Sequence, residues 1–199
     1  IHGVNDAPVA RSDWAQVWEK GSIHVDILQN DQDVDANDTL RVVSVDATGL
    51  KGKVTLNPSG SVTYDAKGRF THLGKGEYTE ETFAYTIADQ HGATSTAWVT
   101  IRIHGVNDAP VAHDDFVVVS EKGHVRFDPL TNDSDPDTND TLRVVNLFSL
   151  GGSKGQRWIN HEGDVTYRPW GAYDYLGEGE VAYQRFGYTI ADQHGATST

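Results

Sequence analysis

Apolar and polar residues alternate along short stretches of this chain, and no stretch carries a convincing helical period. In Ser22-Ile23-His24-Val25-Asp26-Ile27-Leu28, the residues Ile23, Val25 and Ile27 fall on one face, the period of a strand with one side toward a core. Val62 and Tyr64 flank Thr63, Phe83, Tyr85 and Ile87 line one side of another run, and Trp98, Thr100 and Arg102 alternate with Val99, Ile101 and Ile103. Asn57-Pro58-Ser59-Gly60 predicts a hairpin turn and Leu73-Gly74-Lys75-Gly76 a loop. Together these predict strands over residues 9–20, 22–28, 39–46, 52–57, 60–66, 82–88 and 93–103. About seven short strands with regular turns predict an all-β, Greek-key sandwich.

The pattern occurs twice. Residues Ile1 to Ala10 return letter for letter as Ile103 to Ala112, Asn37 to Val43 return as Asn139 to Val145, and Tyr85 to Thr96 return as Tyr188 to Thr199. A period of about a hundred residues is too long for a solenoid unit and suits a sandwich repeated as a bead. The expected layout is a lead-in linker at 1–8, a first repeat at 9–103, a linker at 104–110 and a second repeat at 111–199. The second repeat stops at Thr199, before a counterpart of Ala97 to Ile103, so its last strand is expected to be cut short.

Composition narrows the chemistry. The chain has no Cys, which excludes disulfides, thiolate catalysis and Cys-ligated zinc, and its net charge of −13 repels nucleic acid while favouring divalent cations. No apolar run approaches the ~20 residues of a membrane helix, so no membrane insertion is expected. Carboxylates at alternate positions stand out: Asp31, Asp33 and Asp35 with Asp38 following, and Asp133, Asp135 and Asp137 with Asp140 following. Two such charges about 5 Å apart repel by roughly 3 kcal/mol at an effective dielectric of ~20. Either the loop splays them into water, or a cation with many hard oxygen ligands, calcium above all, sits among them. The loop is not an EF-hand, since Ala36 and Val42 stand where that motif needs Gly and Glu.

Gly-Val-Asn-Asp-Ala-Pro at the junction, the acidic run ending in Asp-Thr-Leu, Gly60-Ser61-Val62-Thr63-Tyr64, and Phe-x-Tyr-Thr-Ile-Ala-Asp-x-His-Gly resemble the VCBS and bacterial cadherin-like repeats of giant secreted RTX-type adhesins. The resemblance covers essentially the whole chain. It implies a cadherin- or immunoglobulin-like sandwich, a place outside the cell or on a bacterial surface, and a calcium-stiffened structural role in adhesion or biofilm formation. It further implies that the lead-in segment and two loops converge on calcium. That would join Asn5, Asp6 and Asp89 to Asp31, Asp33 and Asp35, and Asn107, Asp108 and Asp192 to Asp133, Asp135 and Asp137. The resemblance implies that the site at the junction of the two repeats takes its other half from the bottom of repeat one, where Glu19, Glu77 and Glu80 are candidates, and solvated surface carboxylates explain them as well. The implied partners are calcium ions and neighbouring repeats of the same chain, in a monomer.

Other signals carry less. Gly151-Gly152-Ser153-Lys154-Gly155 fits a hydrolase pattern but lies in a glycine turn between strands, without the strand-to-helix elbow that the chemistry requires. The nine His show no zinc-binding spacing. With no acid/base pair or activated nucleophile, an enzyme is not expected. Trp14 and Trp18 share a face by alternation. Phe116 and Ser120 replace them in the second copy, which assigns Trp14 to the core and Trp18 to the surface. An exposed aromatic pair could stack on sugar rings, so a carbohydrate- or protein-binding accessory module is the alternative reading.

Overall fold

The computed structural model describes residues 2–199; Ile1, the first residue of the lead-in linker, lies outside them. The chain divides into two units, Ile1–Val106 and Asn107–Thr199. Each is all-β, and the one helical element described is a turn of 3-10 helix at Pro129–Thr131.

Repeat one has seven strands: β1 (Asp13–Trp18), β2 (Ser22–Val25), β3 (Arg41–Asp46), β4 (Lys53–Leu56), β5 (Val62–Asp65), β6 (Tyr78–Ala88) and β7 (Thr94–His104). They form two sheets, β1-β7-β6-β3 and β2-β5-β4. Between the sheets lies a core that includes Ile27, Val62, Tyr64, Phe83, Ile87 and Ile101, these six at most 1% exposed. These are the residues that alternation places inward, and their burial is the main stabilising term of such a sandwich.

Two features escape the pattern. First, β1 pairs with β7 in parallel, from Asp13↔Val99 to Trp18↔His104, so the first and last strands lie side by side and run the same way. Second, β6 begins at Tyr78 rather than near residue 82, because Tyr78 to Glu81 pair with His104 to Ile101 of β7 although their charges mask the alternation.

Trp14 corrects the sequence reading. It is 55% exposed and Trp18 61% exposed, while Val17 and Glu19 between and beyond them are buried. Two residues on one face of a strand must share its fate. Here that face is the outer one, and the substitution by Phe116 in the second copy marks no core position.

Repeat two contains β8 (Val125–Phe127), β9 (Arg143–Ser149), β10 (Gln156–Ile159), β11 (Val165–Arg168), β12 (Phe186–Ala191) and β13 (Thr197–Ser198). Its sheets are β10-β11-β8 and β13-β12-β9, and its core includes Val144, Val165, Tyr167, Tyr173 and Ile190. Residues 113–120, the counterpart of β1, form no strand. In repeat one that strand's ladder runs along β7 from Val99 to His104, and the matching strand here is the two-residue β13.

At the end of β7 the chain leaves through Gly105, whose N–H donates to the Glu77 carbonyl at 2.9 Å. A Cβ there would collide with the carbonyl oxygens of Leu73 and Gly74, whereas a Cβ on Gly3 would meet nothing within 4 Å. Backbone cannot yield as a flexible side chain can. Gly105→Ala is therefore expected to destabilise repeat one by about 1–3 kcal/mol in urea unfolding, and Gly3→Ala to leave the midpoint unchanged.

Candidate metal centre

The loop between β2 and β3 is pinned before it turns. Val9 and Gln32 form an isolated bridge, with N–O distances of 2.7 and 3.2 Å, and Val111 and Ser134 repeat it in the second copy. Beyond the bridge the backbone folds onto its own side chains. The Asp35 N–H donates to Asp33 Oδ1 at 2.9 Å and the Asp38 N–H to the Asp35 carbonyl at 2.9 Å. This draws Asp33, Asp35 and Asp38 together, one carboxylate oxygen of each lying within 4.8 Å of the others. Asp135, Asp137 and Asp140 make the same group in repeat two.

The segment leading into each repeat is held against this loop. The Asp6 N–H donates to Asp35 Oδ2 at 2.8 Å, and the Asp108 N–H to Asp137 Oδ2 at 2.8 Å. Asn5 Nδ2 donates to Asp89 Oδ2 at 2.8 Å and Asn107 Nδ2 to Asp192 Oδ2 at 2.7 Å. Asp89 and Asp192 are fully buried. Asp89 Oδ1 gathers the N–H groups of His91, Gly92 and Ala93, and Asp192 Oδ1 those of His194, Gly195 and Ala196. Their carboxylates build the β6–β7 and β12–β13 turns and anchor the asparagines. Gln90 and Gln193, at the tips of those turns, donate to Asp38 and Asp140, each at 2.7 Å.

The electrostatics split accordingly. The hydrogen bond from Asn5, together with the turn N–H groups, holds the Asp89 carboxyl below the ordinary carboxylate range despite burial. For Asp192, burial pushes upward, and the bonds from Asn107 and the turn outweigh it, so the net shift is down. Asp135 and Asp137 move up instead, first through desolvation and then through neighbouring charges, those of Asp140, Asp192 and Asp108 on Asp135 and those of Asp108, Asp135 and Asp140 on Asp137. Asp33 Oδ2, Asp38 Oδ2, Asp135 Oδ2, Asp137 Oδ1, Asp140 Oδ2 and the Asn107 amide oxygen are buried with no hydrogen-bond partner among the described residues. The side chains of Asp38 and Asp140 are only 5% and 3% exposed. Orphaned oxygens of this kind are hard donors, and groups in which each carboxylate brings one oxygen within 4.8 Å of the others suit calcium.

The bacterial cadherin-like domain matches residues 5–105 and again residues 107–199. The chain belongs to that family. Among solved structures, it is similar to Drosophila N-cadherin EC1-4 at 18% identity, with a TM-score of 0.52 over 93% of this chain and 44% of that one. It is also similar to the human Desmocollin-1 ectodomain at 11% identity, with a TM-score of 0.52 over 99% of this chain and 36% of that one. The chain thus spans less than half of either ectodomain. At these identities the likeness concerns the fold. No curated protein is significantly similar in sequence.

The cadherin-like geometry gathers some of the expected residues and separates others. Asp31 and Asp133 leave the triplets: Asp31 Oδ1 accepts from the Arg11 N–H at 2.7 Å and from the Tyr85 hydroxyl at 3.0 Å, and Asp133 Oδ1 from the His113 N–H at 2.7 Å. Asp38 and Asp140 take their places, their aspartates having been visible in the sequence only as followers of the alternating run. Glu19 and Glu77 lie where β7 ends, since the Glu19 N–H donates to His104 and the Glu77 carbonyl accepts from Gly105. They therefore lie at the end of repeat one where the chain leaves toward the linker. Glu80 faces outward and pairs with Arg102 at 2.7 Å. Ser153 accepts from Arg157 at 3.0 Å.

A second carboxylate pair was not singled out by spacing. Asp13, at the start of β1, points inward beside Asp31 and Tyr85, and Asp115 does so beside Asp133 and Tyr188. Tyr85 has one proton to donate, and within its reach lie both carboxylates and the Arg11 carbonyl, the last at 2.7 Å. Desolvation, reinforced by the charges of Asp31 and Asp26, raises the Asp13 carboxyl to about 6 despite the Tyr85 hydrogen bond. A carboxyl raised on folding stabilises most when protonated. Its contribution is full below the ordinary value of 3.8 and is lost as pH rises through about 6. In chelator at pH 7, Asp13→Asn is therefore expected to stabilise repeat one by on the order of 1 kcal/mol, after allowance for screening of a partly exposed group. By thermal melting, the gain should vanish by pH 4.

Proposed function

We propose that this cadherin-like chain is a non-catalytic structural spacer of an extracellular bacterial adhesin, serving cell adhesion and biofilm formation, in which calcium fixes the segment leading into each repeat. The observation that supports this reading is the duplicated group of three converging aspartates, several of whose oxygens are buried without a protein partner. Three charges held within 4.8 Å of one another repel pairwise by roughly 3 kcal/mol at an effective dielectric of ~20. A cation among the three would relieve that repulsion in both copies. Asp33, Asp35 and Asp38 would hold the ion in repeat one, and Asp135, Asp137, Asp140 and the Asn107 oxygen in repeat two.

Bound calcium supplies the missing positive charge and accepts several hard oxygens at once. The protein's own part is positional. Asp35 and Asp137 take a lead-in N–H with one oxygen and face the acidic group with the carboxylate as a whole, so ordering that carboxylate orders the lead-in backbone. Asn5 and Asn107 tie the same segment to the buried turn aspartates. A string of repeats whose lead-ins are fixed in this way resists bending, which is what a spacer must do to hold a binding domain away from the cell. Affinities in the millimolar to sub-millimolar range suit extracellular calcium. No helix among the described residues is long and apolar enough to cross a membrane.

Calcium at a hundredfold excess over its dissociation constant is expected to stabilise each repeat by about 2.7 kcal/mol. Thermal melting in calcium and in chelator measures this, and Asp38→Asn with Asp140→Asn should abolish the difference. Calcium should likewise slow proteolytic cutting within residues 103–110. Identical melting curves in calcium and chelator would sink the proposal in favour of a solvated acidic turn.

A further inference from the structure

The outer face of the β1-β7-β6 sheet in repeat one carries side chains that neither the fold nor the acidic group requires. Trp14, Trp18, Tyr78 and Trp98 are 55%, 61%, 56% and 55% exposed. Half-exposed rings of this size leave on the order of 400 Å² of aromatic surface in water, the size of the largest patch on a typical soluble protein, which is often functional. Trp14, Trp18 and Tyr78 are joined through Arg102 and His104, and Trp98 is the next outward position of β7 before Thr100, the partner of Trp14. The Arg102 guanidinium lies over Trp14 at 5.7 Å and over Tyr78 at 4.4 Å, and His104 lies 5.4 Å from Trp18 and 6.3 Å from Tyr78. Gln16, Glu80 and Arg102 present amide, carboxylate and guanidinium groups between them.

We infer that this face binds a neutral polysaccharide. Three features favour that occupant. The outward positions of β1, β6 and β7 hold rings, hydroxyls and polar groups but no Leu, Ile or Val, so the face offers flat stacking platforms ringed by hydrogen-bonding groups and lacks the aliphatic knobs of a protein interface core. The ring face of a pyranose presents C–H groups to an aromatic and its rim presents hydroxyls, which matches this alternation. Finally, the one charged pair on the face, Arg102 with Glu80, is internally neutral, and the chain's net charge of −13 repels an acidic polymer. The two copies sharpen the point. The acidic group recurs residue for residue, but Ser120 and Val181 stand where Trp18 and Tyr78 would be. Those two rings are therefore particular to repeat one.

Affinity electrophoresis of the whole chain in calcium, through gels containing hydroxyethyl cellulose, galactomannan, glycogen or polygalacturonate, tests the inference. At least one neutral polymer should retard the protein, with a shift in tryptophan fluorescence. Trp14→Ala with Trp98→Ala should weaken the retardation at least tenfold at an unchanged melting temperature. If that pair fails to fold, Trp18→Ala alone supplies the same readout. The inference is overturned if no neutral polymer retards the chain, if polygalacturonate alone does so, or if the Trp variants bind as well as the parent. It is equally overturned if sedimentation shows a sugar-independent dimer that the Trp variants break, which would assign the face to a second copy.

Discussion

The structure turns on the mutual repulsion of three carboxylates held at one end of each repeat. Asp33, Asp35 and Asp38, and their counterparts Asp135, Asp137 and Asp140, are drawn together by backbone hydrogen bonds that leave several of their oxygens dry. Everything at that end is arranged around the strain. The bridges at Val9 and Val111 stop the loop from opening, the Asp6 and Asp108 N–H groups each neutralise one oxygen in part, and the glutamine side chains of the neighbouring turns neutralise another. None of these neighbours carries a full positive charge, and the histidines nearest Asp38 and Asp140, at 3.8 and 3.7 Å, are charged only if protonated.

Much of the sandwich was legible because its strands obey a simple rule. Wherever one side faces the core, as at Ile23 to Ile27 or Phe83 to Ile87, alternation marks the strand. The rule is silent about which side is inside when both are aromatic or small. Trp14 was misplaced for this reason: its neighbours Ala15 and Val17 are less bulky, yet they face the core, and the large rings face water. The parallel pairing of β1 with β7 was invisible as well, since alternation says nothing of partners.

The acidic loop was legible as a composition and less so as a site. Spacing selected Asp31, Asp33 and Asp35, but which carboxylates gather is decided by where the chain turns. The reversal at Asp35 to Asp38 swings Asp38 back toward Asp33, while the Val9 bridge at Gln32 separates Asp31 from both. Asp13 and Asp115 were missed although they recur at matching positions, because a single aspartate at a strand's start looks like a solvated one until the tyrosine across the core is seen. Glu80 shows the converse: its place near the junction of the repeats suggested a cation, and its outward strand face gives it Arg102.

The parallel alignment of β1 with β7 has a mechanical consequence. Tension on repeat one would enter at the start of β1, near Asp13, and leave at the end of β7, beyond His104. Because the two strands run the same way, those points lie at opposite ends of one shared ladder, and pulling them apart slides the strands lengthwise. The six residue pairs from Asp13↔Val99 to Trp18↔His104 are then loaded together instead of being peeled one at a time. A ladder in shear gives way only when most of its bonds fail at once. The same covalent path pulled from the far edge of the sheet would unzip from one end, so the order of strands, as much as the number of bonds, sets how much force the repeat can bear.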